Sequence, residues 1–159
     1  MIDIHCHILP GIDDGARDIT ESAEMVNMAR LNKIDAIIAT PHFTDFNKIE
    51  DFLFNRYEAI QKFKGVLDSF DNKPAVTYGA EVFLDSKVFT AGNLDELTLN
   101  GSRYMLCEYT LEPFNPEKAV IYAEEICARG YIPIIAHPER YISFAQNPTV
   151  VNRLWDMGC

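Results

Sequence analysis

The chain has few of the features that mark several large protein classes. Its 14 basic residues against 24 acidic ones give a net charge of −10, which argues against a nucleic-acid backbone as a partner. No apolar run is long enough to span a membrane, and no basic segment followed by an apolar stretch opens the chain, so we expect a cytoplasmic protein without membrane insertion. Four cysteines occur without a Cys-x-x-Cys pair, and we interpret them as reduced, mostly buried thiols: Cys6, Cys107, Cys127 and Cys159.

Strand-like and helix-like segments alternate along the 159 residues, which is a length typical of one domain. Apolar runs predict five strands, at residues 2–7, 36–39, 75–80, 104–107 and 131–136. Between them, apolar residues at helical spacing predict helices that begin near Asp18, Ile49 and Asn115, and a last helix covers about 149–157. This order predicts an α/β fold built from parallel β/α units.

Potential metal ligands follow the predicted strands one after another. His5 and His7 alternate along the first strand and therefore point to one face. The later strands lead to His42, Glu81, Glu108 and His137, so all four histidines of the chain belong to this set. Each residue alone could be a hydrogen-bonded strand-end histidine or a solvated glutamate. Because the carboxyl ends of parallel strands meet at one edge, their recurrence at five successive ends predicts a metal site.

Several short motifs resemble those of a known family. His5-Cys6-His7, Asp13-Asp14-Gly15, Thr40-Pro41-His42, Gly79-Ala80-Glu81, Glu108 and the stretch 137–141 are similar, in this order, to the polymerase-and-histidinol-phosphatase (PHP) superfamily. The likeness covers essentially the whole chain and is strongest to the bacterial protein-tyrosine phosphatases of capsule and exopolysaccharide synthesis. It implies a distorted seven-stranded TIM-like β/α barrel with up to three Mn, Fe or Zn ions. It also implies a phosphotyrosine substrate, carried by the autophosphorylating kinase of polysaccharide export.

The resemblance also assigns ligands to the first two ions. It implies that His5, His7 and Glu81 hold the first ion, and that Glu81 bridges to a second ion held by Glu108 and His137. Mixed imidazole and carboxylate ligands suit Mn, Fe or Zn better than Ca.

For the third ion the resemblance implies Asp14 and His42, and it implies that Arg140 binds the phosphate. Asp14 is preferred to Asp13 because the family's ligand immediately precedes the small residue. We expect Arg140 and His42 to be the catalytic side chains. The alternative for Arg140 is a surface salt bridge with Glu139 or with a helix charge. A cysteine nucleophile is excluded, since no cysteine has an arginine six positions downstream.

One family motif is missing from the sequence. The family pattern ends in an Asp-x-His pair on the last barrel strand, whereas no histidine follows His137 here and only about five of seven β/α units can be counted. We therefore expect residues 1–159 to be a single PHP domain that is incomplete at its C-terminus, with poor turnover and with strand edges prone to self-association. Three functional hypotheses remain open: a metal-dependent tyrosine phosphatase, a non-catalytic remnant that binds metal or a phosphoprotein, or a small-molecule phosphoesterase.

Overall fold

Seven parallel strands in two sheets form the centre of the computed structural model, which describes residues 1–159. One sheet has the order β1-β2-β4 and the other the order β3-β5-β6-β7. The strands are β1 (Ile2–Cys6), β2 (Ala36–Ala39), β3 (His42–Phe43), β4 (Ala75–Tyr78), β5 (Glu81–Phe83), β6 (Tyr104–Glu108) and β7 (Ile132–Ile135). The mixed α/β class and the parallel pairing agree with the prediction.

At two places a short segment leads the chain from a strand of the first sheet directly into a strand of the second. The chain leaves β2 at Ala39, crosses Thr40-Pro41 and starts β3 at His42, and it leaves β4 at Tyr78 and starts β5 at Glu81. Pro41 has no N–H for a ladder, which favours the first break. His42 and Glu81 follow the ends of β2 and β4 as predicted, and each also begins a strand of the second sheet, which was not predicted. They are direct neighbours there, as the first register pair of β3 and β5.

Five α-helices pack on the sheets: α1 (Ile19–Leu31), α2 (Ile49–Leu67), α3 (Glu117–Ala128), α4 (Ile142–Ala145) and α5 (Pro148–Asp156). Asp18 caps α1 as expected, accepting hydrogen bonds from the N–H groups of Thr20 and Glu21. Gly130 follows α3 with φ of 91°. α4 was not predicted. No α-helix links β5 and β6, where three short 3₁₀ turns occupy the irregular stretch.

Two main apolar cores hold the helices against the sheets. The larger lies between β5, β6, α3 and α5 and includes Val82, Met105 and Ile126. The smaller lies between β2, α1 and α2 and includes Ile37 and Phe63. A third, small cluster of Leu99, Leu106 and Ala136 packs against Ile38 of β2 and Ile134 of β7, and so joins the sheets. This arrangement fixes β1, β3, β5 and β6 relative to one another at the end where the predicted ligands lie.

Two further features bear on the predictions. β1 and β7 are edge strands of their sheets, and the self-association expected through such edges stays a prediction. None of the helices combines the length and apolar character needed to span a bilayer.

Candidate metal centre

The end of β1 places two imidazoles side by side. The Nε2 atoms of His5 and His7 lie 3.1 Å apart. Both face the same carboxylate oxygen, because Glu81 Oε2 is 2.9 Å from His5 Nε2 and 3.0 Å from His7 Nε2. The alternation read from the sequence therefore brings the two rings together, and their partner comes from the second sheet.

Glu81 is the centre of the cluster and is completely buried. Its Oε1 lies 2.9 Å from His137 Nε2, and its Oε2 lies 3.3 Å from His42 Nδ1. Burial alone would raise the pKa of this carboxyl, but contacts with His5 and His7 lower it well below its usual range. The glutamate is thus held as an anion among four imidazoles.

The charge of Glu81 also acts on His7. Burial opposes protonation of His7, yet the contacts with Asp13 and Glu81 raise its pKa to about 10. The neighbouring carboxylates therefore favour positive charge at His7. A divalent cation can supply this positive charge instead, because neutral histidine and carboxylate are the ligand forms that such ions require.

The loop after β1 carries Asp14 to the open side of the cluster. A Cβ at Gly15 would lie 2.3 Å from both Cβ and the carbonyl oxygen of His7, so only glycine permits this close packing. The neighbouring Ala16 N–H donates to the His7 carbonyl over 3.0 Å. Asp14 itself is largely exposed, and its Oδ1 lies 3.3 Å from His42 Nε2.

His42 lies between two acidic side chains. Its Nε2 faces Asp14, while its Nδ1 is 3.1 Å from Glu108 Oε1 at the end of β6. The contact with Glu108 raises the pKa of His42, against the opposing effect of burial. One ring nitrogen is thus directed to each side of the cluster, so His42 is available to either of two ligand groups.

Three groups of side chains bring their ligand atoms within 4.8 Å of one another: His5-His7-Glu81, His7-Asp14-His42 and His42-Glu81-Glu108. His137 Nδ1 is buried without a hydrogen-bond partner, and the buried atoms Glu81 Oε2 and His42 Nδ1 contact only other members of the cluster, without a well-aligned hydrogen bond. Buried polar atoms normally have partners, and atoms without them in a cluster of imidazoles and carboxylates fit a site built for cations. Six of the seven sequence-predicted ligands belong to these groups.

The seventh predicted ligand, His137, belongs to none of the three groups. Its Nε2 is 2.9 Å from Glu81 Oε1 but 3.8 Å from Glu108 Oε2. It has φ of 33°, an uncommon left-handed backbone for a residue other than glycine. Such strain recurs at functional sites. His137 therefore lines the centre beside Glu81.

An open cavity of about 490 Å³ gives access to the cluster. Arg140 lies on its wall in the turn after β7 and takes part in no salt bridge, so the alternative pairing with Glu139 does not occur. Leu111 is the single hydrophobic side chain of the wall and is about half exposed. Sequence reasoning missed Leu111, because one leucine in a loop carries no periodic signal.

Comparisons with known proteins identify relatives of this chain. The profile described as Capsular polysaccharide synthesis, CpsB/CapC, matches residues 1–159. Tyrosine-protein phosphatase YwqE of Bacillus subtilis is 37% identical over 161 residues, covering 99% of this chain and 62% of its own length. Tyrosine-protein phosphatase CpsB of Streptococcus pneumoniae is 30% identical, covering 100% of this chain and 65% of its own length. The chain thus spans somewhat under two thirds of the relatives it matches.

A solved structure also resembles the fold. The match is to a chain from the crystal structures of YwqE from Bacillus subtilis and CpsB from Streptococcus pneumoniae, described as unique metal-dependent tyrosine phosphatases. The TM-score is 0.81 at 34% identity, with 99% of this chain and 63% of that chain covered.

Fold and site together define an α/β protein whose two parallel sheets enclose a cluster of side chains able to hold metal ions. The chain belongs to the CpsB/CapC family of capsular polysaccharide synthesis.

Proposed function

We propose that this chain carries the metal centre of a metal-dependent protein-tyrosine phosphatase. The observation that carries the proposal is the position of Glu81, a buried carboxylate that belongs to two ligand groups and contacts four imidazoles. The names of the relatives support phosphotyrosine as the substrate class. We propose the tyrosine-phosphorylated kinase of polysaccharide export as the protein substrate, and the PHP-type TIM-like barrel as the architecture to which the two sheets belong.

The proposed ligands are those expected from the sequence, and the donor set favours Mn, Fe or Zn, with manganese first. They are His5, His7, Asp14, His42, Glu81, Glu108 and His137. Divalent ions polarise phosphoryl oxygens and lower the pKa of a bound water. The residues supply the rest of the site: Glu81 and its imidazoles hold the cluster together, and Gly15 lets the Asp14 loop close over His7.

Substrate contacts come from the cavity wall. Arg140 has no carboxylate partner, so its guanidinium is free to donate two parallel hydrogen bonds to phosphate oxygens. Leu111 offers an apolar surface near the same opening, where the phenyl ring of a phosphotyrosine can pack. His42, between Asp14 and Glu108, is the proposed catalytic histidine and ligand.

The cysteines are unsuited to nucleophilic attack. Burial, with a smaller effect of Asp3, raises the pKa of Cys6 to about 12. Burial also raises the pKa of Cys107 well above its usual range and that of Cys159 to about 11. A thiolate is the reactive form, so these thiols are nearly unreactive at neutral pH.

The test is hydrolysis of a phosphotyrosine peptide, with a phosphoserine peptide and a sugar phosphate as competing substrate classes. We expect phosphotyrosine hydrolysis that is abolished by chelation, restored by Mn²⁺, and retained by Cys6→Ala and Cys127→Ala. Faster hydrolysis of the sugar phosphate would favour a small-molecule phosphoesterase. Tight metal binding without turnover of any of the three would favour a non-catalytic binding protein, and either outcome would contradict the proposal.

A further inference from the structure

Asp13 is a second acidic residue at the centre, and its side chain is only 5% exposed. Its Oδ2 lies 2.7 Å from His7 Nδ1 and accepts a hydrogen bond from the backbone N–H of His42 over 2.9 Å. Its Oδ1 accepts the N–H of Gly15 over 3.0 Å. One carboxylate therefore joins the end of β1, the loop that bears Asp14, and the first residue of β3.

We infer that Asp13 is a positioning residue that holds His7 with its proton on Nδ1 and its Nε2 directed into the metal centre. This inference rests on the proposed metal site. An ionised carboxylate only accepts hydrogen bonds, so the His7 nitrogen that contacts Asp13 must be the N–H donor. The other nitrogen, Nε2, then faces Glu81 Oε2 and His5 Nε2, where an ion would bind. Such outer carboxylates orient ligand histidines and raise their basicity.

The same contacts already occupy the oxygens of Asp13 and argue against a ligand role for it. Its two oxygens already face three donors, and it belongs to none of the three ligand groups. Asp14 differs in both respects, since its side chain is 83% exposed and faces the His42 ring. The consecutive aspartates therefore have different roles. Asp14 faces the open side of the centre, and Asp13 holds His7 in position from the buried side.

Asparagine cannot replace Asp13, although it has the same shape. Each carboxylate oxygen of Asp13 faces at least one backbone N–H, from Gly15 on one side and from His42 on the other. Whichever way an asparagine amide turns, its NH₂ group meets one of these donors. A buried donor opposite a donor leaves both unsatisfied. Asp13→Asn should therefore displace His7 or His42, the first residue of β3, and the contact of residue 13 with His7 Nδ1 should be lost.

The experiment compares Asp13→Asn and Asp13→Ala with Asp18→Ala as the control. Asp18 also accepts two backbone N–H groups, but it caps α1 outside the metal centre. Binding of Zn²⁺ and Mn²⁺ is measured by titration calorimetry, and thermal unfolding of the metal-free proteins reports stability. We expect metal affinity to fall about 10- to 100-fold in both Asp13 variants, as for other outer-shell partners of ligand histidines. Asp18→Ala should lower stability and leave metal affinity unchanged.

A second measurement uses the wild-type protein and so does not depend on the folding of a variant. Proton–nitrogen correlation spectra of the imidazole rings in the Zn²⁺-loaded wild-type protein should show the His7 proton on Nδ1. A His7 proton on Nε2, or an unchanged metal affinity in folded Asp13→Asn, would overturn the inference. Wild-type protein that binds metal without hydrolysing phosphotyrosine would contradict the proposed function alone. Wild-type protein that binds no metal would overturn both.

Discussion

Replacing Glu81 by glutamine should remove more metal than replacing either of the acidic ligands Asp14 and Glu108 by its amide. Glutamine keeps the shape of the buried side chain and removes its charge. Glu81 belongs to two of the three ligand groups, whereas Asp14 and Glu108 each belong to one. The variant should therefore lose the ions of both groups, and the group His7-Asp14-His42 alone should keep a complete ligand set.

The size of the effect follows from the linkage between binding and folding. An ion present at 100 times its Kd stabilises the folded state by about 2.7 kcal/mol. In a domain of this size each kcal/mol raises Tm by about 2–4 °C, so each saturated site should add roughly 5–11 °C. The Tm of the wild-type protein should rise by this amount for each site when Mn²⁺ is added. The Tm of Glu81→Gln should rise by at most the amount expected from one site.

Thermal unfolding with and without Mn²⁺ measures the shift, and elemental analysis of the same samples counts the ions. Glu139→Gln is the matched control, because Glu139 is exposed in the turn beside His137 and belongs to no ligand group. A Glu81→Gln protein with the metal content and Mn²⁺-dependent shift of the wild type would refute the central role of this carboxylate.

Three other changes test separate parts of the structure. Arg140→Ala should weaken inhibition by inorganic phosphate by about 2 kcal/mol, roughly 30-fold, and spare the metal content; unchanged inhibition would make Arg140 a surface residue only. The pKa of His7 is raised from 6.5 to about 10, so its contacts stabilise the metal-free fold fully below pH 6.5 and this contribution is lost as the pH rises to 10. Unfolding scans over that range should show the decline, and His7→Gln should flatten it. Arg56→Ala should lower the free energy of unfolding in urea by about 3 kcal/mol, because the buried guanidinium donates to the carbonyls of Gly79 and Glu96 at 2.9 and 2.8 Å; Arg56→Lys should lose less, and a loss below about 1 kcal/mol for alanine would contradict this account.

The sequence predicted which side chains meet, but it could not show how the backbone brings them there. Alternation placed His5 and His7 on one face, and they do share a partner. The sequence predicted the end of β2 at Ala39, but it carries no sign that new strands begin at His42 and Glu81 in a second sheet. The hydrogen bonds from Gly79 N–H to Ala39 and from Glu81 N–H to Pro41 carry the pairing across both breaks, so the change of sheet depends on long-range contacts.

The two aspartates illustrate a second limit. Asp13 and Asp14 are adjacent and chemically identical, so residue type cannot distinguish a ligand from the group that supports it. Their separation depends on the turn around Gly15, which buries one side chain and exposes the other. The family resemblance favoured Asp14, and the hydrogen bonds of Asp13 supply the physical reason for that choice.

The division of the strands between two sheets has a consequence for the assembly of the protein. His5 and His7 come from the first sheet and Glu81 from the second, and the links between the sheets include short backbone segments and a small apolar cluster. An ion bound by these three side chains would link the first sheet directly to the second. Loading the centre and completing the tertiary structure would then be one cooperative event. Amide exchange in β1 and β5 should slow together when the ion binds.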